Sequence, residues 1–290
     1  MASSRPSDDF RPSREELSEF IRKDSLGKPK IMGIINVTPD SFYKNSRMNK
    51  DNAVSKALEM WKNGAQWVDI GGESTRPGSL EISIDEEKNR VIPVIKELKK
   101  RMPNGLISID TKKPEVAKEA ILAGAMMIND VSGLRDKEMF ELVLSAKIPV
   151  CIMHMQNTPE SMQVSPHYED CLEEVSDFLF SKADELIENG FPKNLIVVDP
   201  GIGFGKLLNH NLELLRGTQK LKRNTFSVLN GVSRKSMIGQ LINQDDSLNR
   251  LAGTLGASAF AQISGVDILR VHDVKEHVDL SEVLCALINK

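Results

Sequence analysis

Eight short apolar, β-rich runs recur along the chain with helical patterns between them, and this alternation limits the fold more than any other feature. The runs are IMGII (31 to 35), WVDIG (67 to 71), LISID (106 to 110), MMIN (126 to 129), PVCIM (149 to 153), LIVVD (195 to 199), FSVLN (226 to 230) and DILRV (267 to 271). Segments such as DNAVSKALEMWKNG, IDEEKNRVIPVIKELKKR, KPEVAKEAILAG and DKEMFELVLSA lie between them, with apolar positions three or four apart and Gly or Asn at several ends. Strands that are apolar throughout are buried on both faces, as in a parallel sheet covered by helices. Eight strand-helix units in about 260 residues predict an α/β fold, a (β/α)8 TIM barrel. A doubly wound open sheet also satisfies the alternation and stays open here. The expected division is a flexible amino-terminal extension over 1–29 and one barrel domain over 30–290, because the first residues are rich in Ser, Pro, Arg and acids with one short helical candidate, SREELSEFIRK.

Composition narrows the partners. With 40% hydrophobic residues among 290, the chain can bury a large core. A net charge of -3 gives no electrostatic case for nucleic acid or an anionic membrane, so any bound anion must be held by local groups. Cys151, Cys171 and Cys285 are scattered and lack a C-x-x-C spacing, which fits a reducing compartment. No apolar run approaches the roughly 18 to 20 residues of a membrane span. The first residues lack the apolar centre of a secretory signal and carry Asp8, Asp9, Glu15 and Glu16, too acidic for a transit peptide. The expectation is a cytoplasmic protein.

The apolar runs end in polar groups: Asn36, the stretch GGESTR at 71 to 76, Asp110 and Thr111, Asn129 and Asp130, His154, Asp199, Ser233 to Lys235, and Arg270 with His272. In a (β/α)8 barrel the carboxyl ends of all strands converge on one rim, where active sites sit. One Asp at a strand end is more often a helix cap than a catalytic group, but eight such ends rich in Asn, Asp, Lys, Arg and His point to a site. Asp110, Asn129 and Asp199 offer acceptors and an amide donor suited to a planar heterocycle with an amino group beside a ring N–H. Lys235, Arg270 and His272 supply donors from the last two strands, where barrels often hold phosphate.

Other motifs fail their physical tests. DPGIGFGK (199 to 206) lacks the third glycine of a dinucleotide fingerprint, and Pro200 and Leu207 break a P-loop. A tight turn bringing backbone close to a flat ligand is the better reading. The histidines show no H-x-H or H-E-x-x-H spacing for zinc, and His167, His210 and His277 read as surface or helix residues. Lys235 could act as a Schiff-base lysine or as a hydrogen-bond donor and positive charge.

Taken in order, NVTPDSF (36 to 42), GGESTRPG (71 to 78), ISIDT (107 to 111), IND (128 to 130), MHMQ (153 to 156), DPGIGFGK (199 to 206), SRKSMIG (233 to 239) and RVHDV (270 to 274) resemble the dihydropteroate synthase family of pterin-binding proteins from residue 31 to the carboxyl end. The resemblance implies condensation of a dihydropterin carrying a hydroxymethyl diphosphate with 4-aminobenzoate, with release of pyrophosphate. It also implies Mg2+, a cytoplasmic homodimer in folate biosynthesis, and sulfonamides as mimics of 4-aminobenzoate. Carried over position by position, Asp110, Asn129, Asp199 and Lys235 hold the pterin. Asn36 contacts the metal, and Arg270 and His272 the diphosphate. Thr75 and Arg76 match the second loop, while Phe42, Pro77 and Ser236 match the wall around 4-aminobenzoate. Asp40, with Lys235 and Arg270, is assigned to the reacting centre.

The chain departs from the family pattern at Tyr43 to Ser46, where Ser-Asp-Gly-Gly is usual, at Asn157, where Gly is common, and at Asn230, usually apolar. Two other readings stand beside the first. One is a pterin-binding methyltransferase that acts on methyltetrahydrofolate, and the other is a non-catalytic pterin-binding homologue.

Overall fold

A computed structural model of the chain describes residues 12–38, 46–74, 79–158, 161–222 and 226–288. Eight parallel strands close into a barrel in sequence order: β1 (Lys30–Asn36), β2 (Trp67–Gly71), β3 (Leu106–Asp110), β4 (Met127–Asp130), β5 (Val150–Met153), β6 (Ile196–Asp199), β7 (Ser227–Asn230) and β8 (Ile268–Val271). Pairing of β1 with β8, Lys30 opposite Ile268, closes the sheet on itself and excludes the open doubly wound alternative. The ends of every strand fall within one residue of the apolar runs, because full burial on both faces makes the hydrophobic run and the strand the same object.

The helices form the outer layer: α1 (Arg14–Phe20), α2 (Ser46–Lys62), α3 (Ile84–Arg101), α4 (Pro114–Ala123), α5 (Lys137–Ala146), α6 (Cys171–Glu188), α7 (Leu208–Arg216), α8 (Thr218–Leu221), α9 (Ser236–Ile242), α10 (Leu251–Ile263) and α11 (Val274–Ile288). Their ends follow local chemistry. Ser83 caps α3 by accepting from the backbone N–H of Glu86, and Gly124 ends α4 in the left-handed conformation at φ +114°.

Part of the extension expected over 1–29 is docked on the barrel. Ser13 and Glu16 form a reciprocal capping box on α1. Leu17 and Ile21 are buried in the main core. The indole N–H of the fully buried Trp67 donates to the carbonyl of Phe20 at 2.8 Å, and the N–H of Lys23 donates to Asp267 Oδ1 at 3.3 Å. The sequence had offered this helix only as a candidate, since seven residues supply too few apolar positions to show what they dock against. Among the described residues, no helix is long and apolar enough to cross a membrane.

Candidate active site

Strand register sets one level of the rim. Asn36 pairs with Gly71, Gly71 with Asp110, and Asp110 with Asn129. One layer deeper, in the middle of β2, lies Asp69, which has no solvent exposure. Its Oδ2 accepts from Arg270 Nε at 2.6 Å and from Asn129 Nδ2 at 2.9 Å. Arg270 also donates through Nη2 to Asp110 Oδ2 at 2.5 Å. One guanidinium from β8 thus crosses the barrel mouth and gathers two carboxylates. Burial is the main force on Asp110 and pushes its carboxyl up to about 7; Arg270 opposes this, while Asp69, Glu87 and Asp130 add like-charge repulsion. Burial works against the Arg270 charge, but Asp69 and Asp110 together hold its pKa above the ordinary arginine value.

Across the mouth, Asp199 ends β6 and is buried. Its Oδ1 accepts from the N–H of Gly201 at 2.7 Å. Burial raises its pKa, and the charge of Lys235 is the first influence opposing that rise. Lys235 shows the mirror case: burial lowers it to about 8, with Asp199 pulling it back up. Its Nζ donates to the carbonyl of Ile202 and lies 4.5 Å from the centre of the Phe204 ring. The DPGIGFGK turn makes this possible. Gly201 sits at φ +66°, and a Cβ there would come within 1.9 Å of the carbonyl oxygen of His154, so only glycine fits.

On the side formed by β7 and β8, Ser233 Oγ accepts from the N–H of His272 at 3.1 Å and lies 2.9 Å from its Nδ1. His272 is exposed, as are Ser236 at the start of α9 and Asn36 at the end of β1.

The comparisons with known proteins agree with this geometry. Residues 32–272 match the family model described as pterin binding enzyme. A dihydropteroate synthase of Escherichia coli K12 is 43% identical over 265 residues, spanning 91% of this chain and 93% of that protein. The chain belongs to the dihydropteroate synthase family of pterin-binding enzymes. Two Xanthomonas albilineans dihydropteroate synthase structures superpose on it. One, with 4-aminobenzoic acid, has a TM-score of 0.85 and 40% identity, covering 91% of this chain and 95% of its own. The other, with 7,8-dihydropteroate, has a TM-score of 0.82 and 38% identity, covering 92% and 96%.

Within this family member, the structure brings Asp110, Asn129, Asp199, Lys235 and Arg270 to one barrel mouth, with Asn36, Ser236 and His272 on its exposed rim. Arg270 is engaged with the carboxylates of β2 and β3 instead of standing beside His272 alone. Asp40, Phe42, Thr75, Arg76 and Pro77 lie outside the described residues, as do Tyr43 to Asn45, while Ser46 opens α2.

Several strand-end residues are occupied locally. Asp130 accepts from the N–H groups of Ser132 and Leu134, both at 2.8 Å, and so shapes its own loop. His154 packs against Lys206, whose Nζ lies 3.0 Å from its Nδ1. His210 and His277, which the sequence placed on the surface or on helices, are helical but buried. Asn157 adopts φ +62°, the left-handed geometry that asparagine tolerates in place of glycine.

Sequence reasoning missed Asp69. An acid inside an otherwise apolar parallel strand was the available signal, since a buried carboxylate needs a charged or hydrogen-bonding partner across the barrel.

Proposed function

We propose that this chain condenses 6-hydroxymethyl-7,8-dihydropterin diphosphate with 4-aminobenzoate to give 7,8-dihydropteroate and pyrophosphate, as a transferase of its family. The observation that carries this reading is the pair of buried Asp199 and half-buried Lys235 facing the Arg270 network across one barrel mouth. Asp199 accepts from the exocyclic amine and adjacent ring N–H of the pterin, and Lys235 donates to its ring acceptors. Asp110 and Asn129 complete the pterin floor. Burial that raises Asp199 and lowers Lys235 leaves both groups responsive to a bound ring that satisfies them.

The diphosphate lies toward Ser233, His272 and Arg270, whose donors stabilise charge as it builds on the leaving group. The C–O bond to diphosphate breaks, and the amine lone pair of 4-aminobenzoate forms the new C–N bond, with loss of one amine proton. The pterin shares the positive charge on the methylene carbon meanwhile, so no covalent nucleophile is required. Asp40 is assigned to stabilise that cation, and Thr75, Arg76, Phe42, Pro77 and Ser236 to surround the aminobenzoate.

Magnesium belongs to the same proposal. Among the described residues, no group of three His, Cys, Asp or Glu side chains could hold a metal ion. Asn36 offers one exposed amide oxygen on the rim. That donor set fits a hydrated Mg2+ shared with diphosphate oxygens better than a protein cage. Asn36 would hold it, and the ion would neutralise charge on the leaving pyrophosphate.

Self-association completes the reading. The helix α10 buries Thr254, Ser258 and Gln262 while exposing Phe260 and Ile263, and α11 buries His277 and Ser281 while exposing Val283, Leu287 and Ile288. The apolar side chains that these two packed helices leave exposed support a homodimer through this face.

Pyrophosphate release from purified protein, dependent on both substrates, tests the activity. Its absence alongside intact pterin binding would favour a non-catalytic homologue, and methyl transfer to a corrinoid protein would favour the methyltransferase.

A further inference from the structure

We infer that Arg234 and Asp273 form a positioning pair that locks the loops after β7 and β8 together and thereby sets the diphosphate end of the site. This rests on the reading above, which places the diphosphate beside Ser233 and His272. The pair flanks that contact: Arg234 follows Ser233, and Asp273 follows His272. Arg234 Nε donates to Asp273 Oδ2 at 2.8 Å, and Nη2 donates to Asp273 Oδ1 at 2.5 Å. Such a planar fork on a carboxylate fixes distance and orientation at once.

Arg234 is itself held in an uncommon backbone state, φ +57°, which a residue with a long side chain adopts only where its surroundings enforce it. Its N–H donates to Thr254 Oγ1 at 3.1 Å, and its carbonyl accepts from Arg250 Nη1 at 3.0 Å. On the other loop, the carbonyl of Asp273 accepts from the backbone N–H of His277 at 3.3 Å and lies 2.6 Å from its Nδ1. Each partner is therefore anchored to the helix layer, and the ion pair joins the two anchored loops. Lys235 has separate supports in Ile202, Phe204 and Asp199, so the pair acts first on Ser233 and His272 and only second on the pterin.

The test separates the two ends of the substrate. In Arg234→Met the KM for the pterin diphosphate should rise about tenfold. The affinity for 6-hydroxymethylpterin, which lacks the diphosphate, should stay within about threefold. Asp273→Leu should behave alike, and the double variant should be no worse than the worse single one. Arg234→Lys keeps the charge without the fork and should show a smaller rise in the same parameter. An unchanged KM in folded Arg234→Met or Arg234→Lys would overturn the inference. So would equal losses for both ligands, or single effects that multiply in the double variant. If the unaltered protein releases no pyrophosphate, the functional reading fails on its own; titration with inorganic pyrophosphate then decides on the pair, weaker binding in the variants supporting it and equal binding overturning it.

Discussion

Replacing Asp69 by Asn tests the centre of the site with almost no change of shape. The carboxylate has no solvent exposure, and one oxygen serves both Arg270 and Asn129. An amide oxygen can still accept both bonds, but without charge. Charge-assisted bonds contribute roughly 1.5–3 kcal/mol and neutral ones roughly 0.5–1.5, so the Asn129 contact, now neutral on both sides, weakens by about 1–2 kcal/mol, while the Arg270 bond keeps its guanidinium charge but loses the ion pair. The new NH2 falls where Asp69 Oδ1 now lies, an atom with no partner among the described residues. A buried donor without an acceptor costs about 1–3 kcal/mol more. One effect runs the other way. Asp69 is among the charges that raise Asp110, so removing it lowers that carboxyl from about 7. The sign is fixed by linkage. An acid whose folded pKa lies above its unfolded value binds more protons when folded, so it lowers stability as pH climbs from about 4 to about 7. In Asp69→Asn that decline becomes shallower. The net expectation at neutral pH is a loss of about 2 kcal/mol, a fall in Tm of about 3 °C, and a rise of about tenfold in KM for the pterin diphosphate. Urea unfolding across pH, a 13C titration of Asp110 and pyrophosphate release read the three effects. Unchanged stability together with an unmoved Asp110 titration would show that the network does not hold Arg270 as argued.

Three further outcomes are expected. Lys235→Met should weaken pterin binding by about 1.5–3 kcal/mol, the loss of a charged donor; in the unaltered protein, binding measured by fluorescence should weaken above about pH 8, where the free lysine loses its proton, and pH-independent binding would contradict the assignment. Asn230 buries both amide atoms without a partner among the described residues, so Asn230→Leu should stabilise the fold by about 1–2 kcal/mol, seen as a higher Tm with unchanged turnover; a lower Tm would reveal a partner for that amide. Lys113 is buried and bonds Glu73 at 2.5 Å and Glu87 at 2.8 Å, so Lys113→Met leaves Glu87 uncompensated and should cost about 3–5 kcal/mol in urea unfolding, whereas a cost under about 1 kcal/mol would place little weight on the network.

What the sequence reveals and conceals about this site follows from the range of the interactions involved. The strands are legible because their burial is written in consecutive residues, and Asp110, Asn129 and Asp199 are legible because a polar residue closing an apolar strand can only lie on the rim. Asp69 breaks the same apolar pattern from within. Its meaning depends on Arg270, 201 positions away, and no local rule joins the two. Arg234 and Asp273 pose the same difficulty: both lie in strand-end motifs, but nothing local pairs them until β7 and β8 lie side by side. The docking of α1 is hidden for a related reason, since it depends on Phe20 meeting Trp67 across the chain. In a closed barrel, pairs far apart in sequence become neighbours across the mouth. The residues that contact a ligand can therefore be read from single strand ends, while those that hold them in place emerge only when opposite strands are brought together. By this reasoning Asp69→Asn should disturb Arg270 and Asn129 together, because the same carboxylate oxygen holds both. A variant that shifted one and left the other in place would show that the barrel mouth is a set of separate contacts and not one network.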